Sequence, residues 1–114
     1  MQLAVSEEQT EVCAAHGVAP VACDPEAKVG IALATLQRLP LNALRHTPIN
    51  GTCGWYIWGG ELSDAPGFFQ PLHAAHVPEY VPQLVPYLAL APGWRVLIAP
   101  TQLDVWYDAA LVGE

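Results

Sequence analysis

Positive charge is scarce in this chain: four lysines and arginines stand against eleven acidic residues, for a net charge of −7. Those four, Lys28, Arg38, Arg45 and Arg95, are too scattered to follow a phosphate backbone, so neither nucleic acid nor an anionic membrane is an expected partner. No apolar run approaches the roughly 20 residues that a membrane-spanning helix needs. The opening MQLAVSEEQTEV turns acidic within seven residues, which leaves no room for the apolar core of a secretion signal. A CxxC pair is also lacking: Cys13, Cys23 and Cys53 are odd in number and far apart. A reduced, cytoplasmic protein with free thiols is the resulting expectation.

What the chain does have is apolar material. Its 114 residues suit one domain, and at 53% hydrophobic with 13% charged it carries fewer charges than the about 25% of an average globular chain. A core uses much of this surplus, and an interface is expected to use the rest; a homodimer is one option. The negative balance would steer a basic protein toward the surface, or serve solubility alone.

Ser6-Glu7-Glu8-Gln9 fits a capping box, and Gly17 can end a helix in the left-handed conformation, which predicts a short helix over residues 6–16. Its thin apolar face (Val12, Cys13, Ala15) should pack loosely at the domain edge. After a connecting loop, VGIALATL, LNALRH and TCGWYIWGGE read as three strands, with HTPING as the turn before the last. Residues 61–75 read as a long connection. In VPEYVPQLVPYL, prolines at 78, 82 and 86 each deny a long helix its hydrogen bond, so two short proline-started turns are expected, with Val81, Leu84, Val85 and Leu88 covering the sheet. WRVLIAP and DVWYD add two strands. The fold class is therefore α+β, a mostly antiparallel sheet of about five strands with the helical pieces on one face. Residues 1–28 would supply the N-terminal helix and loop, and 29–114 the core.

With period two, Trp55 and Ile57 point to one face of their strand and Tyr56 and Trp58 to the other, between glycines at 54, 59 and 60. This makes TCGWYIWGGE a central strand. The combination of LRH, GWYIWGGE, PEYVPQLVPYLALAPGW and DVWYD resembles the immunity protein 33 domain family, linked to bacterial polymorphic-toxin systems, over roughly residues 29–108. Its specific parts are Gly54, Trp55, Gly60 and Glu61, with an extra glycine at 59, and Pro82, Pro86, Tyr87 and Leu88. Thr52-Cys53 stands where family members often have an acidic residue or serine. The resemblance implies a protein that binds and neutralises a cognate toxin and carries out no chemistry.

Several side chains invite a chemical reading. A reactive cysteine needs a cation or helix N-terminus beside it, and the neighbours of Cys53 in the chain supply neither, so Cys53 is read as a small strand residue. Cys13-x-x-His16 and His73-x-x-His76 have ligand-like spacings, with Cys23 as a further donor, but no tight pair of pairs, so no metal or cofactor is expected. Glu61 suits a salt bridge with Arg45 or Arg95. The competing reading is a small ligand-binding or hydrolytic pocket built from Glu61, His73 and His76. In DVWYD, Asp104, Trp106 and Asp108 share one face and Val105 and Tyr107 the other. If the second pair faces the core, a tryptophan between two carboxylates lies in solvent, and with Glu61 these residues become the expected contact surface for a basic protein toxin. If Trp106 is the buried residue, the pattern inverts.

Overall fold

The computed structural model describes residues 5–113, leaving Met1 to Ala4 of the N-terminal segment and Glu114 of the core segment outside. Its elements are α1 (Glu7–Ala15), β1 (Lys28–Ile31), β2 (Leu41–Arg45), β3 (Thr52–Gly59), β4 (Gln70–His73), α2 (Val77–Tyr80), β5 (Trp94–Ala99) and β6 (Gln102–Tyr107), with 3₁₀ turns between several of them. Six strands form one sheet in the order β4-β1-β3-β2-β5-β6. The expected α+β class is found, with six strands in place of five.

The additional strand is β4, inside what reads from sequence as a connection. It is short and contains Pro71, and it pairs antiparallel with β1 at the sheet edge, where a residue without an N–H is tolerated. The second half of VGIALATL leaves the sheet for a 3₁₀ turn at Leu33–Thr35. Because β1 pairs parallel with β3, the sheet is mixed, although the other four pairings are antiparallel.

Helix α1 begins as its sequence dictates. Ser6 Oγ accepts from the Gln9 N–H and Gln9 Oε1 accepts from the Ser6 N–H, both at 3.1 Å. The helix is held more firmly than its thin apolar face suggests, since Gln9 Nε2 donates to the Val85 carbonyl at 2.7 Å and Cys13 is buried against the core. The proline segment forms α2 and a 3₁₀ stretch Pro82–Tyr87, and Val77, Val81 and Leu84 are buried beneath them.

These helical pieces cover one face of the sheet. There Ile31, Leu41, Ala43, Trp55, Ile57 and Val96 meet Cys13, Val77, Val81 and Leu84 in the principal core. Trp55 is 1% exposed, and its Nε1 donates to the Leu88 carbonyl at 3.1 Å. A second, smaller cluster lies on the other face, where Trp58, Leu44 and Ala32 are covered by Phe68, Phe69 and Leu111.

Two glycines shape β3. Gly54 has φ +93° at the bulge where β3 slips against β1, and a Cβ there would strike the His46 carbonyl. Gly59 lets the strand end lie against the Thr35–Arg38 backbone, where a Cβ would meet the Thr35 carbonyl. TCGWYIWGGE is thus the covered strand its alternation predicts, apart from the partly exposed Tyr56.

Candidate functional site

The far edge of the sheet is β6, reached from β5 through the two-residue link Pro100-Thr101. Their antiparallel register pairs Arg95 with Trp106 and Leu97 with Asp104. The Asp108 N–H donates to the Gly93 carbonyl at 2.7 Å, so the alternation of an antiparallel ladder makes residues 102, 104, 106 and 108 the hydrogen-bonded partners of β5. The backbone groups of Leu103 and Val105 consequently point away from β5, toward the open edge. Among the described residues no strand pairs with them.

On the side chains the alternation runs as follows. Val105 turns toward the helix-covered face and packs on the principal core. Tyr107 lies on the same side, edge-on to Trp94 at 5.8 Å between ring centroids, and half of it stays exposed. Trp106 projects from the opposite face and is 38% exposed. Of the two arrangements left open by sequence, the one with Trp106 outward is therefore found.

Trp106 is not bare. The Arg95 guanidinium lies over its ring, 5.3 Å from the centroid, and Arg95 NH1 donates to Asp108 Oδ2 at 3.1 Å. Asp108 Oδ1 also accepts from the Ala110 N–H, capping the last 3₁₀ turn. Arg95 Nε is buried and has no partner among the described residues. Asp104 accepts from Gln102 Nε2 at 2.5 Å and is exposed. The patch therefore consists of an aromatic ring clamped by one arginine, with an anchored carboxylate on one side and an accessible carboxylate on the other.

Glu61 does not join it. It lies beyond the C-terminal end of β3, on the rim of a shallow depression lined by Arg38, Phe68 and Phe69. Three strand intervals, about 14 Å at the usual spacing, separate β3 from β6. Neither expected arginine partner is available to it, because Arg95 pairs with Asp108 and Arg45 is buried. The pocket of Glu61, His73 and His76 is not assembled: His73 pairs with Lys28, which is beside Thr52 at the opposite end of β3 from Glu61. His73 and His76 are 6.3 Å apart between ring centroids, and His76 Nδ1 lies 2.7 Å from Glu79 Oε2 on the surface. Cys13 reaches the Ala89 carbonyl while the His16 ring lies tilted against Trp94, 5.3 Å between centroids. Among the described residues no three His, Cys, Asp or Glu are grouped to hold a metal ion.

What sequence reasoning missed is Arg45. It is 1% exposed, and its guanidinium donates to the carbonyls of Cys53, Val21 and Leu90, each at 2.8 Å, with NH2 3.5 Å from Cys23 Sγ. It also lies 5.7 Å from the Trp55 ring centroid. The signal was present: Leu41, Ala43 and Arg45 alternate along β2, so an inward Leu41 implies an inward Arg45. The expectation that no cation lies near Cys53 is corrected accordingly, since sheet pairing brings one there that the chain neighbours do not.

The fold is that of a small α+β domain in which no strand of the described residues covers the β6 edge. The match to a family model is more specific: residues 8–108 match the Imm33-like domain, and the chain belongs to that family. The match extends past the segment that carries the quoted motifs to include α1. No curated protein and no solved structure matches the chain.

Proposed function

We propose that this protein is a cytoplasmic immunity protein that neutralises a cognate bacterial toxin by direct association, with β6 and its Trp106 patch as the contact surface. The observation that carries the reading is the strand itself. The opposite edge of the sheet is blunted by the shortness of β4 and by Pro71, whereas β6 runs six residues without proline or lysine and exposes Leu103 and Trp106. A strand left open in this way accepts a partner through its main chain, and side chains on its two faces supply the selectivity.

Charge favours a basic partner. The chain carries −7 overall, and Asp104 stands accessible beside Trp106. Acting by occupancy, the protein needs no catalytic group of its own. Glu61, three strand intervals from β6, contributes only to the general negative field. The test is amide hydrogen exchange on this chain mixed with the toxin domain encoded beside its gene. Protection of Leu103 and Val105 on binding is expected, and unchanged exchange across residues 102–108 in a formed complex would move the interface elsewhere.

A further inference from the structure

Leu103, Trp106 and Tyr107, all large and all partly exposed, fall on the single strand β6. The backbone groups of Leu103 and Val105 on that strand face away from β5, and no strand of the described residues pairs with them. An open edge of this kind takes up a strand that complements it. One candidate accompanies every chain at equal concentration, namely the same edge of a second copy, and a two-fold axis would make that contact antiparallel and self-complementary.

Charge selects the register. Opposed residues must turn their backbone groups to the partner strand together, so the axis has to pass through one residue of β6. Centred on Asp104, the pairing sets the two Asp104 carboxylates against each other, and centred on Trp106 it sets Asp104 against Asp108 of the second copy; like charges directly opposite are unfavourable. Centred on Leu103, it sets Val105 against Thr101 in the turn between β5 and β6. Centred on Val105, it sets Val105 against its own counterpart and Asp104 against Trp106 of the second copy, with no carboxylates opposed.

That last register is favourable on both faces of the sheet. Arg95 pairs with Trp106 within the chain, so the row across the joined sheets reads Arg95, Trp106, then Asp104 of the second copy. The Arg95 guanidinium lies over the Trp106 ring, 5.3 Å from its centroid, and is thereby displaced toward the strand edge. The incoming carboxylate arrives one strand spacing, about 4.8 Å, beyond Trp106, and symmetry makes the contact twice. On the helix-covered face the two Val105 side chains pack side by side, and Leu103 comes opposite the half-exposed ring of Tyr107 of the second copy.

We propose that, in the absence of any toxin, this chain forms a symmetric homodimer by antiparallel pairing of β6 with β6 of a second copy about Val105, each Asp104 seated at the Arg95–Trp106 pair of the other chain. Two chains at −7 repel one another at a distance, and about 0.15 M salt screens that repulsion beyond about 8 Å. One strand against one strand falls at the low end of interface sizes, below about 1,200 Å² in total, so the dimer is weak and reversible. The pairing does not depend on the toxin reading, although a toxin strand taken up at β6 would displace the second copy.

The experiment is sedimentation equilibrium of the full chain alone in about 0.15 M salt, from about 1 μM to about 1 mM, with amide exchange measured at both ends of that range. The mass is expected to rise toward twice that of one chain, and the Leu103 and Val105 amides to exchange about tenfold more slowly at the high end, where only residual monomer exposes them. Leu103→Pro removes an edge N–H that β5 does not use, and should stay monomeric with a melt close to the parent's. Asp104→Lys adds two positive units to a chain at −7, so relief of repulsion alone would tighten the dimer, whereas a lysine brought to Arg95 of the second copy should weaken it about tenfold. A single-chain mass across the whole range, a dimer whose Leu103 and Val105 amides exchange as fast as in dilute solution, a folded Leu103→Pro chain that dimerises as the parent does, or a tighter dimer for Asp104→Lys would each overturn the proposal. Exchange on the parent needs no variant to fold, and with no toxin present the result is separate from whether β6 binds one.

Discussion

Arg45 Nε donates to the carbonyl oxygen of Cys53 at 2.8 Å, so a side chain of β2 grips the backbone of β3 from inside the core. The same guanidinium reaches the Val21 carbonyl in the loop before β1 and the Leu90 carbonyl after the proline segment. One side chain thereby joins the sheet, the N-terminal segment and the helical cover.

Two effects of opposite sign meet at this residue. Removing Arg45 abolishes the cost of a buried charge but orphans three carbonyls, each worth about 1–3 kcal/mol when left unsatisfied and buried. The orphaned carbonyls should win. Arg45→Met is expected to lower stability by about 3 kcal/mol or more in denaturant unfolding, and a variant that unfolds at higher denaturant than the parent would show that the charge dominates.

The two tryptophans at 55 and 106 should separate in the same assay. Trp55→Ala truncates a side chain that is 1% exposed and loses its hydrogen bond to Leu88, which should cost ~3–5 kcal/mol. Trp106→Ala removes a ring lying on the surface under Arg95, and is expected to cost ~1 kcal/mol or less. Equal losses would mean that β6 is as much core as β3.

The thiols of Cys53 and Cys23 predict a dependence on pH. Cys53 ionises more readily in the folded chain than in the unfolded one, so between about 7 and the ordinary thiol value the unfolded chain binds more protons and stability rises with pH. That contribution is lost as pH falls through about 7. Cys23 is raised, so its contribution is full below the ordinary thiol value and is lost at higher pH, which reverses the slope there. Melting curves of parent and Cys53→Ser under reducing conditions should diverge over this window and converge below it; parallel profiles would contradict the assignment.

Much of the fold was legible because its signals are local. The capping box at Ser6, the proline spacing from Pro78 to Pro86 and the alternation of Trp55 to Trp58 each depend on neighbours within a few residues, and each is found as expected. β4 was missed because Pro71 reads as a strand breaker, and only the edge position next to β1 makes it acceptable. The placement of Arg95 over Trp106 depends on hairpin register, and the meeting of Arg45, Cys23 and Cys53 depends on three segments that only the tertiary fold unites. Glu61 was grouped with the β6 residues on charge, and charge does not say how many strands separate two residues of a sheet.

The central claim is that β6 meets a basic partner through Asp104, Trp106 and Asp108, and binding kinetics against the toxin domain encoded beside this chain's gene test it most directly. Asp104→Lys with Asp108→Lys should slow association and flatten its dependence on salt, while Trp106→Ala should chiefly speed dissociation, at a cost of ~2 kcal/mol or more in binding. Melting curves serve as the control for folding. Those shifts, with the melts of the Trp106 variant near the parent's, are the predicted result; association and dissociation rates unchanged by all three substitutions at both low and high salt would contradict it.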